Sequence, residues 1–142
     1  MPFPAPEPGL VISYAYLWHR ELTQKRAEGA KNRPCVIILS VERQDDHVAV
    51  TVSPITHSLP PEGRAVLEIP AAVKRHLGLD SERSWIVLDE VNQFVWPGFD
   101  LRPIRGKTGR IDYGYLPPKL FARIISGIRE VWRKAQGKTV SR

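Results

Sequence analysis

Proline, glycine and short charged clusters interrupt this chain so often that only one stretch, toward its C-terminal end, can sustain a long helix. Its 13 prolines and 10 glycines leave apolar segments of a few residues each, rich in Val, Ile and aromatic side chains. Segments of that length and composition pack as strands. Four prolines in the first eight residues predict a flexible, extended arm over 1–8, because proline lacks the amide N–H that a sheet interior uses. The polar residues 137–142 are expected to fray, which leaves 9–136 as the folded unit.

Within that unit, 10–16, 35–41, 47–53, 64–69, 85–89, 91–96 and 113–116 read as strands, and the polar turn 42–46 makes a hairpin of the second and third. Pro70 and Gly78 bracket a short helix by the usual proline-in, glycine-out punctuation. After Pro117-Pro118, the residues Leu120, Phe121, Ile124, Ile125, Ile128, Val131 and Trp132 recur at helical spacing. This predicts an amphipathic helix whose stripe completes a core. The connection 17–32 is long and charged, with room for a helical turn, and reads equally as a flap over a site or a solvated loop. The fold class expected is β-rich α+β: a small, strongly bent antiparallel sheet or partial barrel with a short internal helix and a C-terminal amphipathic helix.

The 142 residues suffice for one ordinary domain with its own core. No apolar stretch approaches the roughly 20 residues that cross a bilayer, and the first residues lack the charged and apolar regions of an export signal. No membrane association is expected. The single cysteine, Cys35, stands in an apolar run and reads as a buried structural thiol, which suits a reducing cytoplasm. A net charge of +6 fits a polyanionic partner such as RNA, and equally an acidic protein or a solvated surface.

The histidines, His19, His47, His57 and His76, are scattered without metal-ligand spacing, so no metal and no cofactor are expected. Nucleophile-elbow, Walker and dinucleotide motifs are missing from the sequence. What remains is a polar set at strand borders: Arg33, Thr56, His57, Asp89 and Asn92, with His19, Glu21 and Glu28 in the long connection. Transesterification of RNA requires a 2′-hydroxyl to lose its proton, a phosphorane to be stabilised and a 5′-oxygen to be protonated. An arginine, a hydroxyl and an acid or imidazole can divide that work. Each residue also has a plainer reading: Arg33 as a surface ion pair, Thr56 as a turn hydroxyl bonding its own backbone, His57 as a solvated loop residue, Asp89 as a strand terminator.

The order of these pieces resembles the PemK/MazF family of toxin endoribonucleases. The resemblance rests on Pro8-Gly9-x-Val11-Ile12, a charged loop with Gly29 leading to Arg33-Pro34-x-Val36-Ile37-Ile38, and the Pro54-Ile55-Thr56 stop. Glu68-Ile69-Pro70, the segment 85–92 and Leu116-Pro117-x-x-Leu120-Phe121-x-x-Ile124 extend it over roughly residues 8–132. It implies an SH3-like barrel, a homodimer, metal-independent cleavage of single-stranded RNA to a 2′,3′-cyclic phosphate, and neutralisation by an antitoxin protein. The family's arginine and threonine at the scissile phosphate map to Arg33 and Thr56, and its acidic position maps to Asp89. Lys31, His19, His57, Ser58 and Asn92 would then contact RNA, with Arg105, Lys107 and Arg110 as weaker electrostatic contributors. The long 17–32 connection departs from the family pattern, so the family's histidine or glutamate there could fall on His19, Glu21 or Glu28. Non-enzymatic rivals on the same fold are a gyrase poison of the CcdB type, which would present Trp132 as a binding surface, or an RNA binder without catalysis.

Overall fold

The computed structural model describes residues 3–23, 31–59, 63–107 and 109–142. Along them run β1 (Leu10–Tyr16), α1 (His19–Thr23), β2 (Lys31–Glu42), β3 (Val48–Thr56), β4 (Val66–Glu68) and α2 (Ala71–Leu77). There follow β5 (Trp85–Val87), β6 (Glu90–Trp96), β7 (Asp112–Tyr115), α3 (Pro118–Arg133) and β8 (Lys138–Ser141). The strands bond in the order β4-β5-β3-β2-β1-β7, with β6 added beside β3 and β8 beside β6, and the sheet, antiparallel but for the β6–β8 pair, curls into half a barrel. The β-rich class expected from the punctuation of the chain is the class observed. No described helix is long and apolar enough to cross a membrane.

The curl is made by β3. One of its edges serves β6 from Val48 to Val52 and then β5 at Ile55 and Thr56. Pro54 stands between the two stretches, where a residue without an N–H fits an interrupted ladder. The opposite edge of β3 pairs with β2, whose other side pairs with β1.

All seven residues of β1 are buried. Leu10, Ile12, Tyr14 and Tyr16 join Cys35, Ile37, Val50, Val52 and Phe94 in one core, while Val11 joins Val36, Ile55, Leu77, Ile86, Leu120 and Ile124 in a second. A strand covered on both faces needs no polar alternation, which is why 10–16 shows so little of it. The second core is closed by the helices. Gly78 ends α2 at φ 72°, donating its N–H back to Arg75 and Lys74 carbonyls. Leu120, Ile124 and Val131 are the buried face of α3, and Gly127 admits Leu88, whose Cδ1 would lie 2.8 Å from any Cβ added there. Trp132 keeps 37% of its surface and lays its ring against Gly137.

Two terminal segments differ from expectation. Residues 137–142 do not fray: β8 pairs in parallel with Glu90–Gln93 of β6, and Val140 is buried. The reason is an open edge on β6 together with Arg142, whose guanidinium reaches Asp100 Oδ1 at 2.9 Å and the Ala15 carbonyl at 3.0 Å. The described part of the proline arm also has partners. Tyr115 donates its hydroxyl proton to Glu7 Oε1 at 2.7 Å, and the Phe3 ring meets Trp96 edge-on at 6.3 Å.

Candidate functional site

The β2–β3 register sets Cys35 opposite Pro54, and its continuation brings Arg33 beside Thr56 at one end of the sheet. The chain leaving β1 passes over that end, contributing Trp18 and α1. The resulting cleft, about 320 Å³, is lined by Trp18, Arg20, Glu21, Arg33, Thr56 and His57, with Ser58 at its rim. Of the residues expected to handle RNA, Arg33, Thr56, His57 and Ser58 are therefore brought together.

Two donors of the cleft stand without acceptors among the described residues. Arg33 Nε and Trp18 Nε1 are both buried and without a hydrogen-bond partner. A buried donor left unpaired costs about 1–3 kcal/mol, so two of them in one cleft mark a place built for acceptor oxygens. The guanidinium groups of Arg20 and Arg33 lie 4.9 and 5.0 Å from the Trp18 ring centroid, at cation–π distance. Burial lowers the Arg33 pKa from its ordinary value, offset in part by Cys35 and Glu21. At physiological pH it remains a cation, held in a setting where an anion would relieve the desolvation.

Thr56 Oγ1 accepts the Ser58 N–H at 3.2 Å and faces the Ser58 carbonyl at 3.4 Å. The hydroxyl thus forms the local turn that its plainer reading anticipated, and its long outgoing bond leaves the proton available to a better acceptor. Glu21 is buried, and its Oε1 accepts the Trp18 N–H at 3.0 Å. Among the described residues it is the carboxylate lining this cleft.

His57 is half exposed and tied at both nitrogens. Its Nε2 lies 2.8 Å from Asp80 Oδ2 and its Nδ1 lies 3.1 Å from Ser84 Oγ. The other Asp80 oxygen receives the ammonium of buried Lys74 at 2.7 Å, and that ammonium also bonds the Glu82 carbonyl. Asp80 is held below the usual carboxylate range: burial opposes this, and the Lys74 hydrogen bond and the His57 ring outweigh it. His57, Asp80 and Glu82 bring ligand-type atoms within 4.8 Å of one another, but protons from Lys74 and His57 already occupy both Asp80 oxygens.

The remaining expected residues lie elsewhere. Asp89 does not face the Arg33–Thr56 cleft; it is clasped by Arg64, whose Nε and Nη2 donate to its two oxygens at 2.6 and 2.7 Å. Both oxygens being engaged, it acts as a structural clasp in a second cleft of about 250 Å³, which contains His19, Glu90 and Lys138 and shares Arg20 with the first. Asn92 is fully buried and holds Leu17 through both its amide groups, accepting at 3.0 Å and donating at 2.8 Å, so it cannot touch RNA. Arg105, Lys107 and Arg110 stand in the turn before β7 and line neither cleft. Glu28 and the side chain of Lys31 lie outside the described residues.

Sequence reasoning missed Trp18 and Arg20 as cleft residues, and Lys74, Asp80 and Ser84 as supports of His57. Trp18-His19-Arg20-Glu21 did carry a signal, an aromatic followed by charges at the entry to the long connection. The Asp80 network carried none, since His57 precedes β4, Lys74 lies in α2 and Asp80 and Ser84 follow it, and they meet only in the fold.

Glu90 in the second cleft sets a pH dependence. Burial raises its pKa, against the opposing pull of the His19 N–H at 2.9 Å and the Tyr16 hydroxyl at 3.1 Å. A carboxyl whose folded pKa exceeds its unfolded value binds more protons when folded, so its contribution is fully present below the unfolded pKa and is lost as pH rises through the folded one. Glu90→Gln keeps an acceptor for both donors and removes the titration. Thermal unfolding followed from about pH 4 to 7 is expected to show the wild type losing ground to this variant as pH rises; a parallel pair of curves contradicts it.

Comparison of the chain with protein-family models, with curated proteins and with solved structures returns no match.

Proposed function

We propose that the chain is a toxin endoribonuclease of the PemK/MazF kind on an SH3-like barrel, cutting single-stranded RNA in the Arg33–Thr56 cleft. The observation that carries the reading is the half-buried Arg33 guanidinium with an unpartnered Nε, standing beside Thr56. Arg33 takes the charge that builds on the phosphorane, and Thr56 turns its hydroxyl from Ser58 to a phosphate oxygen. Glu21, a carboxylate lining the same cleft, is assigned the acid–base role. Its carboxylate takes the 2′-hydroxyl proton, the 2′-oxygen bonds to phosphorus as the bond from phosphorus to the 5′-oxygen breaks, and the leaving 5′-oxygen takes a proton from water, giving a 2′,3′-cyclic phosphate and a 5′-hydroxyl. In this reading side chains carry the phosphorane charge and the 2′-hydroxyl proton, and no metal is invoked. The need for a 2′-hydroxyl in line with the leaving group restricts the substrate to flexible, single-stranded RNA.

This reading carries an antitoxin and a second copy as partners, in a cytoplasmic setting. A second copy would use the outer face of the sheet, where Val41, Ala49 and Val95 lie in one row across β2, β3 and β6 and Leu39 is exposed nearby. Light scattering is expected to give twice the chain mass; monomer alone at high concentration removes the dimer.

The test of the activity is incubation of chelator-treated protein with single-stranded RNAs of varied sequence. Fragments ending in cyclic phosphate, their formation suppressed in Glu21→Gln, are expected. An RNA pool left intact across sequences sinks the enzyme and leaves a binding role.

A further inference from the structure

The His57 network resolves what this residue can offer an RNA chain, and the inference rests on the cleft's being the RNA site. A histidine acting as acid or base needs a nitrogen facing the reacting atoms. Here neither faces outward. In the neutral ring Nε2–H donates to Asp80 and Nδ1 accepts from Ser84, whose hydroxyl is fully buried and therefore not a free nucleophile. In the charged ring both nitrogens donate, and Ser84 can send its own proton toward the Glu82 carbonyl at 3.5 Å. The groups facing the imidazole are Asp80, Glu82 and Ser84, with Lys74 behind Asp80, and they satisfy it in either charge state. With both nitrogens engaged, carbon surface is what the half-exposed ring has left to offer the cleft it lines.

We propose that His57 is a stacking platform for a nucleobase next to the phosphate bound by Arg33, and that Lys74, Asp80 and Ser84 are positioning residues that lock its ring. The chemistry suits a single strand, whose unstacked bases find aromatic faces of any sequence attractive. The arrangement also explains a buried lysine in α2. Lys74 is 5% exposed and ties Asp80 to the Glu82 carbonyl, fixing the loop between α2 and β5 against which the ring is set. The alternation of a locked aromatic face and a cationic slot on Trp18 would hold one base and one phosphate of the same nucleotide.

The test uses a non-cleavable pool of mixed-sequence 2′-O-methyl oligoribonucleotides containing 2-aminopurine, whose fluorescence is quenched on stacking. Binding is followed by anisotropy and stacking by quenching, with thermal unfolding of each variant recorded alongside. His57→Ala is expected to bind roughly 5- to 100-fold more weakly and to lose quenching. His57→Phe, which keeps an aromatic face and loses the two bonds that lock it, is expected to retain quenching and to bind more weakly than wild type by about as much as Asp80→Asn, well short of the loss in His57→Ala. Asp80→Asn should retain the cleavage rate at saturating RNA while raising the concentration needed to reach it, a split that a merely structural role would not produce. The proposal is overturned if His57→Phe is as weak as His57→Ala, which would assign the role to the nitrogens, or if His57→Ala binds as wild type. Failure of the parent reading looks different: wild type and Arg33→Ala would then be equally unable to bind the pool, and the stacking proposal falls with it.

Discussion

Arg33→Ala is expected to remain folded and to cut single-stranded RNA about 10²- to 10³-fold more slowly than the wild-type chain. The two halves of that expectation come from the same observation. Arg33 is a cation removed from water with one nitrogen unpaired, so folding gains little from it. Deleting it forfeits its approach to Trp18, worth about 0.5–1 kcal/mol, and relieves a desolvation penalty of similar or larger size. Unfolding in urea should therefore move by less than about 1 kcal/mol. The anion-binding capacity has no such compensation. Arg33→Lys should rescue little, because an ammonium lacks the planar fork that meets two phosphate oxygens at once. The measurement is the initial rate of cyclic-phosphate formation beside the urea midpoint for each variant. An Arg33→Ala protein that cuts normally would falsify the assignment, and one that loses several kcal/mol of stability would make Arg33 a structural residue.

The strands were legible because β-branched runs closed by proline or glycine have few alternatives in a chain this interrupted. Segment 10–16 coincides with β1, and Ala71–Leu77 and Pro118–Arg133 fall where Pro70, Gly78 and the apolar stripe put them. Arg33 and Thr56 were legible as a pair for the same reason: two adjacent strands fix the register, and register fixes which end residues meet. What escaped was decided by side-chain partners far apart in sequence. Asp89 looked like an acid at a strand end, and nothing local reveals that Arg64, 25 positions earlier, would take both its oxygens. Asn92 looked polar and therefore exposed, yet it is spent on holding Leu17, 75 positions away. His57 was a loop histidine until Lys74, Asp80 and Ser84 came together around it. Local pattern reports backbone conformation; long-range hydrogen bonds decide which polar groups remain available to a ligand.

The tail is the sharpest case of that rule, and Arg142→Ala is expected to cost about 3 kcal/mol, a fall in Tm on the order of 10 °C for a domain of this size. Lys138–Ser141 is mostly exposed, with Val140 its one buried side chain, so its composition alone would not hold it to the sheet. Arg142 does. Its guanidinium is 6% exposed and contacts Asp100, itself 19% exposed, the Ala15 carbonyl and Asn92 Oδ1, while lying 5.8 Å from the Tyr14 ring. Truncation leaves the Asp100 carboxylate in a poorly solvated position with its cation gone, and most of the cost comes from that orphaned charge rather than from the lost attraction. Asp100→Asn made together with Arg142→Ala should therefore recover part of the loss, a coupling that a double-mutant cycle reads directly. Because Asn92 bridges Arg142 to Leu17, the damage is also expected to loosen the segment carrying Trp18. Binding of the 2′-O-methyl pool should weaken in Arg142→Ala at temperatures well below its Tm, although Arg142 lines neither cleft. Unchanged binding in that window would mean that the tail stabilises the sheet without positioning the site.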